Sequence, residues 1–316
     1  MKKHLPSAAI LLSLLLVLCM YAFTSDRDKA DSGGSAPVSY HKGYLFAPIQ
    51  GASYADFSQV IHPISSSRVT SALRIYPDFI VDGISIGKQT ARAYVNDTIY
   101  VAVEPVLRTL FPSARVSLSE DGTLFQAQAP GLDFAGMVWS GYFQVNGRFF
   151  YVPNGNLLQG SDFMVPVREL GTALGCTVSE PDPQTVVIRR VGPPADANTY
   201  NEEDLYWLSR IIYAEAGNQP MAGRVAVGTV ILNRVANDHF PNTIKDVIFA
   251  PRQFSPVSNG RIYREPDYDS TVAAMLCLDG VKEAGDSLYF NVSRLNSWAN
   301  RTKTYVTTIG DHKFYM

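Results

Sequence analysis

"LSRIIYAEAGNQPMAGRVAVGTVILNRV", residues 208–235, is almost wholly apolar and decides the fold of the C-terminal part of the chain. Leu205, Leu208, Ile212 and Glu215 are separated by 3, 4 and 3 positions, so in a helix they share one face. The single carboxylate of the stretch therefore continues an apolar stripe.

The same stretch predicts two helices in succession. Gly217 is expected to end the first helix, and Pro220 suits the first turn of the second. The second helix, roughly residues 220–236, is apolar nearly all round, which is typical of the buried centre of a domain. Thr199 or Asn201 is expected to cap the first helix.

Glu215 can be interpreted in two ways from this pattern. Burial disfavours the charged form of a carboxyl group and raises its pKa, which keeps the proton that a general acid needs near neutral pH. Alternatively, Glu215 forms a packing salt bridge with Arg210, Arg224 or Arg234. The residues alone leave both interpretations open.

Composition limits the classes of function. The 316 residues are 46% hydrophobic and 18% charged, with a formal net charge of −2, as in an ordinary globular protein without a basic face for nucleic acid. The three cysteines and five histidines are scattered, without the spacing of a disulfide framework or a metal site. We expect no metal and no cofactor.

The N-terminus predicts export. Residues 1–24 have two lysines, then an apolar run at 5–23, then charge, which is the pattern of a signal peptide. A cleaved leader and a retained anchor that associates with the membrane both remain open. Residues 25–70 are assigned as a linker and an unassigned segment, and the protein is expected outside the cytoplasm.

Residues 71–191 contain an internal duplication. "FIVDG" at 79–83 recurs as "FQVNG" at 143–147, and "IYVAVEPVLRTLFPSARV" recurs as "FMVPVRELGTALGCTV" at the same offset, from 99 to 163. The two units, about 79–128 and 143–190, each predict strands joined by an Asp-Gly or Asn-Gly turn and a short helix. Residues 192–200 are predicted to be a linker.

This pair resembles the stalk repeat called the copper amine oxidase N-terminal-like domain. The resemblance implies a structural or wall-associating module, and a pure spacer or a site for a partner protein stays open as an alternative. It implies no copper here, because residues 71–191 contain no histidine.

The C-terminal part, predicted as a domain at 201–316, resembles the SleB-type cell wall hydrolases, the spore cortex-lytic enzymes. The motifs that carry this resemblance are "IIYAEAGNQPMAGRVAVGTVILNRV", "FPNTIKDVIFAPRQFSPVSNG", "YFNVS" and "TTIGDHKFYM". The resemblance implies a mainly helical domain like those of lysozymes and lytic transglycosylases, with Glu215 as the catalytic acid. It implies peptidoglycan as the partner, cleaved in its glycan strand at N-acetylmuramic acid in spore cortex lysis or wall remodelling. It also implies a location in the cell wall or spore envelope.

One departure from the family motif supports a rival function. Members commonly read "AEARGEP", whereas this chain reads "AEAGNQP", so the Arg is missing and Gln219 replaces the second Glu. A peptidoglycan-binding scaffold with weak or no catalysis is therefore the alternative.

Two loops are predicted to contact the substrate. Gln253, Phe254 and Ser255 lie in a polar, turn-rich segment, and Tyr289 and Asn291 lie on one side of a predicted strand at 288–293. Aromatic and amide side chains together are typical of carbohydrate sites.

A single dominant acid favours a lytic transglycosylase, since a glycoside hydrolase normally uses a second carboxylate. The other acidic residues nearby in sequence are interpreted as solvated loop or helix-end charges: Asp238, Asp246, Glu265, Asp267 and Asp269. A nucleophilic pair of Ser255 and His312 stays open, although no nucleophile motif supports it. The predicted fold class is α+β with two domains, a β-rich stalk of two repeats and a mainly helical C-terminal domain.

Overall fold

The structure, a computed structural model, describes residues 78–87, 90–292 and 297–316. The predicted leader or anchor at 1–24 and the linker at 25–70 lie outside the described residues. Within the described ranges, no helix is both long enough and apolar enough to cross a membrane.

Residues 78–190 form the β-rich part of the chain. Two short helices interrupt the strands, α1 at Val103–Leu110 and α2 at Val167–Ala173. The strands in chain order are β1 (Asp78–Val81), β2 (Ile84–Ser85), β3 (Arg92–Val95), β4 (Thr98–Ala102), β5 (Arg115–Leu118), β6 (Leu124–Ala129), β7 (Leu132–Met137), β8 (Tyr142–Val145), β9 (Arg148–Tyr151), β10 (Leu157–Gln159), β11 (Asp162–Pro166), β12 (Cys176–Asp182) and β13 (Thr185–Arg190).

The duplication recurs in the order of the elements. Strands β1 and β8 begin at residues 78 and 142, and helices α1 and α2 begin at 103 and 167, so both pairs are 64 positions apart. Asp82-Gly83 and Asn146-Gly147 have positive φ at both residues, as tight hairpin turns between twisted strands require. The relationship of this pair to the stalk family remains a prediction.

Strands of the two repeats pair with each other. β4 pairs with β11 in the sheet β10-β11-β4-β3, and β1 pairs with β13 in the sheet β12-β13-β1-β2. A third sheet, β5-β6-β7-β8-β9, joins the end of the first repeat to the start of the second. Because both repeats contribute to the same buried core, neither can bury its apolar face alone.

The C-terminal part contains six α-helices and three strands among its described residues. The helices are α3 (Glu202–Ala216), α4 (Met221–Val235), α5 (Ile244–Phe249), α6 (Ser255–Ser258), α7 (Tyr268–Leu278) and α8 (Trp298–Thr302). The strands are β14 (Tyr289–Val292), β15 (Tyr305–Ile309) and β16 (His312–Tyr315), which form a sheet in the order β14-β16-β15.

Helices α3 and α4 lie close to the predicted bounds. Asn201 caps α3 by accepting a hydrogen bond from the Asp204 N–H at 3.0 Å. Helix α4 is buried along most of its length and packs against both α3 and α7, which also pack against each other. At Gly228 the three helices approach so closely that a Cβ would lie 2.6 Å from Cys277 Sγ and 2.9 Å from Ile212 Cδ1.

The small sheet consists of one strand that the sequence predicted and two that it did not. The strand expected at 288–293 is present as β14, with Tyr289 and Asn291 at alternate positions. The hairpin of β15 and β16 was not predicted. Its strand β16 pairs with β14 along the whole length of both strands, which brings His312 opposite Val292.

The β-rich part packs against the C-terminal part through the hairpin of β8 and β9. The Tyr142 hydroxyl donates to Asp269 Oδ1 at 2.9 Å, and the Tyr151 hydroxyl donates to Glu283 Oε1 at 2.7 Å. The Asn198 amide, in the predicted linker, donates to Asp279 Oδ1 at 2.6 Å. The two parts therefore belong to one compact unit, and the domain boundaries drawn from the sequence stay a prediction.

These hydroxyl–carboxylate bonds are expected to stabilise the packing. Tyr142→Phe and Tyr151→Phe should each lower the free energy of unfolding by about 1 kcal/mol, the usual contribution of one hydrogen bond. Urea denaturation of the full chain measures the loss. The matched control is Tyr263→Phe, an exposed tyrosine in the C-terminal part that should change stability little. Equal stabilities for all three variants would contradict the role of the two bonds.

Candidate functional site

Glu215 lies in the last turn of α3, beside a cavity of about 620 Å³. The walls come from the segment between α5 and α6, from β14 and from the start of β16. Among the described residues that line the cavity, Glu215 is the only one with a carboxyl side chain. The lining residues are Glu215, Arg234, Phe249, Ala250, Pro251, Arg252, Gln253, Phe254, Ser255, Val257, Ser258, Phe290, Asn291, Val292 and His312.

The interpretation of Glu215 as a packing salt bridge is wrong. Arg210 pairs with Glu265 and Arg224 pairs with Asp267, each at 2.5 Å. Arg234 donates to the Leu288 carbonyl at 2.7 Å and to Gln253 Oε1 at 3.2 Å. All three arginines are thus engaged elsewhere.

The surroundings of Glu215 favour its protonated form. Burial raises its pKa above the ordinary value, while the nearby Arg261 guanidinium offsets part of the rise. Arg261 is held at this helix end because its Nη2 donates to the Ala214 carbonyl at 2.9 Å. A half-buried acid with a raised pKa at a cavity wall has the property that a proton donor requires.

The turn between α3 and α4 is fixed by a buried arginine. Arg224 Nε donates to the Gln219 carbonyl at 3.0 Å, Nη2 donates to the Gly217 carbonyl, and Nη1 donates to Ser270 Oγ at 2.6 Å. Together with the Asp267 pair, these bonds hold the end of α3 against α4 and α7. The position of Glu215 depends on this arrangement.

Gln219, which departs from the family motif, ties the same turn to the β15–β16 hairpin. Its Oε1 accepts from the Asp311 N–H at 2.8 Å, and its Nε2 donates to Asp311 Oδ2 at 3.2 Å. An amide can do both, whereas a carboxylate would place a second negative charge beside Asp311. In this chain, residue 219 bonds to the hairpin and not to Glu215.

The structure gathers four of the predicted substrate residues around Glu215. Gln253, Phe254, Ser255 and Asn291 line the same cavity, and Tyr289 lines an adjoining one. Gln253 and Ser255 are exposed, whereas Phe254 is only 7% exposed and contributes chiefly to the wall. Whether they bind substrate stays a prediction.

The other acidic candidates lie away from the cavity lining. Asp246 accepts from Thr243 in the first turn of α5, and Asp269 accepts from Tyr142. Glu265 and Asp267 pair with arginines, and Asp238 is exposed. The assignment of these five as solvated or helix-end charges agrees with their positions.

His312 and Ser255 line the same cavity, but no hydrogen bond joins them among the described contacts. His312 is 4% exposed, and burial lowers the pKa of its imidazole. Its Nδ1 is buried without a hydrogen-bond partner among the described residues, and its ring contacts Phe290 edge-on at 5.5 Å. Nothing in this geometry activates Ser255 as a nucleophile.

Sequence reasoning missed several residues of this region. Arg252, Phe249 and Val257 line the cavity, and Arg261 influences Glu215, yet none was singled out. Arg252 and Arg261 do lie within or beside the motif that supplied Gln253. Their cationic side chains in a polar loop were the available signal.

The raised pKa of Glu215 makes a prediction about stability. Below the unfolded value of about 4.3, both states of wild type carry the proton. As the pH rises above that value, the unfolded chain loses its proton first, so wild type loses stability until the folded pKa is passed. The Glu215→Gln variant has no ionisable side chain at position 215. Its free energy of unfolding should therefore increase relative to that of wild type as the pH rises from 4 to 7.

Urea denaturation across this pH range measures the difference, with Asp238→Asn as the control for loss of an exposed carboxylate. The gain should be about 1.4 kcal/mol for each tenfold increase in the proton affinity of the folded acid. If the free energy of unfolding of Glu215→Gln relative to wild type stays constant with pH, or decreases as the pH rises, Glu215 is not desolvated.

Comparison with known proteins supports the resemblance of the C-terminal part to the cell wall hydrolases. Residues 218–315 match the family described as Cell Wall Hydrolase, a region that begins just after Glu215. The spore cortex-lytic enzyme of Bacillus cereus is 37% identical over 118 residues, covering 37% of this chain and 46% of that protein. The spore cortex-lytic enzyme of Oceanobacillus iheyensis is 36% identical over 116 residues, covering 36% and 42%.

The chain thus spans less than half the length of these curated relatives. Among solved structures, it is similar to the catalytic domain of the germination-specific lytic transglycosylase SleB from Bacillus anthracis, with 35% identity and a TM-score of 0.36. That match covers 38% of this chain and 98% of the other. The C-terminal part of this chain therefore contains a cell wall hydrolase domain, matched over residues 218–315, that is homologous to the spore cortex-lytic enzymes.

Proposed function

We propose that this protein cleaves the glycan strand of peptidoglycan, with Glu215 as the general acid. The observation that carries the proposal is a half-buried carboxyl group with a raised pKa, unpaired among the described residues, at the edge of a 620 Å³ cavity. The family of residues 218–315 and the cortex-lytic relatives support peptidoglycan as the substrate.

The proposed reaction starts with proton transfer. Glu215 gives its proton to the glycosidic oxygen beside N-acetylmuramic acid, and the bond between that oxygen and the anomeric carbon breaks. The leaving sugar departs with the new hydroxyl group, and positive charge develops at the anomeric carbon. Phe254 and Phe290 contribute apolar surface to the cavity beside the acid.

We further propose that the second step is an internal transfer and not hydrolysis. Glu215, now a carboxylate, accepts the proton of the muramyl 6-hydroxyl, whose oxygen bonds to the anomeric carbon and gives a 1,6-anhydro product. The acid thereby recovers its proton. The support is the cavity lining, which among the described residues offers no second carboxylate to activate water or attack the sugar.

The rival proposal is a wall-binding protein without turnover. Its support in the sequence was the altered motif after Ala216, where the Arg is missing and Gln219 replaces Glu. In the structure Gln219 bonds to Asp311, so its replacement does not remove a partner from Glu215. The replacement of Glu by Gln219 therefore gives no support to the rival.

Loss of the acid should abolish cleavage. Glu215→Gln keeps the shape of the side chain but cannot donate a carboxylic proton, so the rate should fall by about 10²–10⁴-fold. Release of soluble glycan from purified peptidoglycan measures the rate, with vegetative wall and spore cortex as parallel substrates. Asp238→Asn is the matched control and should keep wild-type activity, because Asp238 lies on the surface outside the cavity. Binding without release by wild type would support the scaffold instead.

The mass of the products separates transfer from hydrolysis. We expect muramyl ends that are lighter by one water molecule than the hydrolysis products, because the 6-hydroxyl replaces water as the attacking group. Mass spectrometry of the digest measures this directly, and an enzyme digest with a known hydrolase provides the reference. Reducing muramyl ends would contradict the transfer step while leaving Glu215 as the acid, and free peptides would indicate an amidase or peptidase.

A further inference from the structure

A second cavity, of about 840 Å³, adjoins the one beside Glu215. The two share the lining residues Arg234, Arg252, Gln253, Phe290 and Asn291. They are therefore two parts of one groove, with Glu215 in the first part only. We therefore expect a glycan strand with its scissile bond at Glu215 to extend into the second part.

The second cavity is cationic. Arg234, Arg252 and Lys303 line it, and no Asp or Glu side chain lies among its described lining residues. None of the three forms an ion pair with any described residue. Since the whole chain has a net charge of −2, this is a local concentration of positive charge.

Arg234 is the unusual member of this group. Its side chain is 5% exposed, and a buried charge without an anion costs free energy. The other buried arginines of the C-terminal part, Arg210 and Arg224, both have carboxylate partners. Burial lowers the pKa of Arg234 to about 10, as expected when no anion compensates for the lost solvent.

The guanidinium of Arg234 is nevertheless held in one place. Its Nε and Nη1 donate to Leu288 and Gln253, and its centre lies 5.1 Å from the Phe240 ring, 5.2 Å from the Phe254 ring and 5.6 Å from the Tyr289 ring. No described residue accepts a hydrogen bond from Nη2. A guanidinium group that is held in place at a cavity wall, with N–H donors still available, suits a planar anion such as a carboxylate.

The rest of the cavity suits a sugar. Lys303 Nζ lies 4.4 Å from the Tyr289 ring and 5.2 Å from the Trp298 ring, and Trp298 is 54% exposed. Exposed aromatic rings offer flat surfaces to the apolar face of a pyranose, while cations beside them offer partners to an acidic substituent.

We propose that the second cavity is a subsite for a carboxylate-bearing muramyl unit, with Arg234 as the principal anion receptor and Arg252 and Lys303 as supporting cations. This inference rests on the proposed function and specifies how the groove distinguishes its substrate. The carboxylate comes from one of two sources, the lactyl group of a peptide-free muramic acid or the peptide stem attached to it. Both offer the same chemistry to the cations.

The test measures binding without turnover in the full chain carrying Glu215→Gln. The ligands are soluble oligomers of N-acetylglucosamine and N-acetylmuramic acid in three forms: with a free lactyl carboxylate, with a peptide stem, and with the lactyl carboxyl reduced to an alcohol. The reduced form should bind about tenfold more weakly than the better of the two acidic forms, because a charge-assisted hydrogen bond is lost. The stronger acidic form identifies the source of the carboxylate.

Variants locate the effect in the second cavity. Arg252→Gln and Lys303→Gln, each added to Glu215→Gln, should reduce the preference for the acidic ligand at least twofold without weakening binding of the reduced ligand. Lys282→Gln removes an exposed cation outside the cavity and is the matched control. Arg234→Lys keeps the positive charge but loses the planar N–H donors of the guanidinium group. Circular dichroism checks that this variant folds.

Equal affinities for the acidic and reduced ligands would overturn the proposal, as would an equal effect of Lys282→Gln. The two proposals fail separately. A preference for the acidic ligand in a protein whose wild type releases no glycan would contradict the proposed function alone, and cleavage without such a preference would contradict the subsite alone.

Discussion

The geometry of the site depends on one buried guanidinium. Arg224 binds the carbonyls of Gly217 and Gln219 and the side chains of Asp267 and Ser270, so it joins the turn after α3 to the start of α7. The Gly217 carbonyl lies at the C-terminal end of α3, where intrahelical donors are missing. One side chain thereby satisfies the helix end and fixes the direction in which Glu215 projects. The cost of burying the charge is offset because Asp267 and several oxygens surround it.

Much of the local structure was predictable from the sequence because its causes are local. The spacing of Leu208, Ile212 and Glu215 gave the correct helix face, and Asn201 provides the predicted cap. The Asp-Gly and Asn-Gly pairs form the predicted turns. The pairing of β1 with β13 and of β14 with β16 was not predictable, because the partners are far apart in sequence and alternation along a strand does not specify its neighbour.

The candidate site was also predictable only where its residues stand out in the local sequence. Glu215 stood out because a carboxylate in an apolar stripe is unusual, and the polar loop at 252–261 contributes several wall residues. Arg234 was seen only as a salt-bridge partner, since its actual surroundings come from three other segments of the chain. Phe240, Phe254 and Tyr289 meet around it only after α4, α6 and β14 have packed. The presence of an arginine in an apolar helix does not reveal whether its guanidinium group contacts an anion or a set of aromatic rings.

The distribution of charge in the groove reconciles two opposite requirements. An acid that must keep its proton needs surroundings with little positive charge, because a nearby cation lowers its pKa. A subsite for a carboxylate needs cations. The chain meets the first requirement by neutralising Arg210 and Arg224 with Glu265 and Asp267, which leaves Arg261 as the cation that influences the pKa of Glu215. It meets the second by placing Arg234, Arg252 and Lys303 along the adjoining cavity, where Lys303 does not border the acid. A groove of this kind can bind an anionic strand and still present it with a protonated acid, because burial raises the pKa of Glu215 and the cation that offsets this rise is Arg261, not Arg234, Arg252 or Lys303.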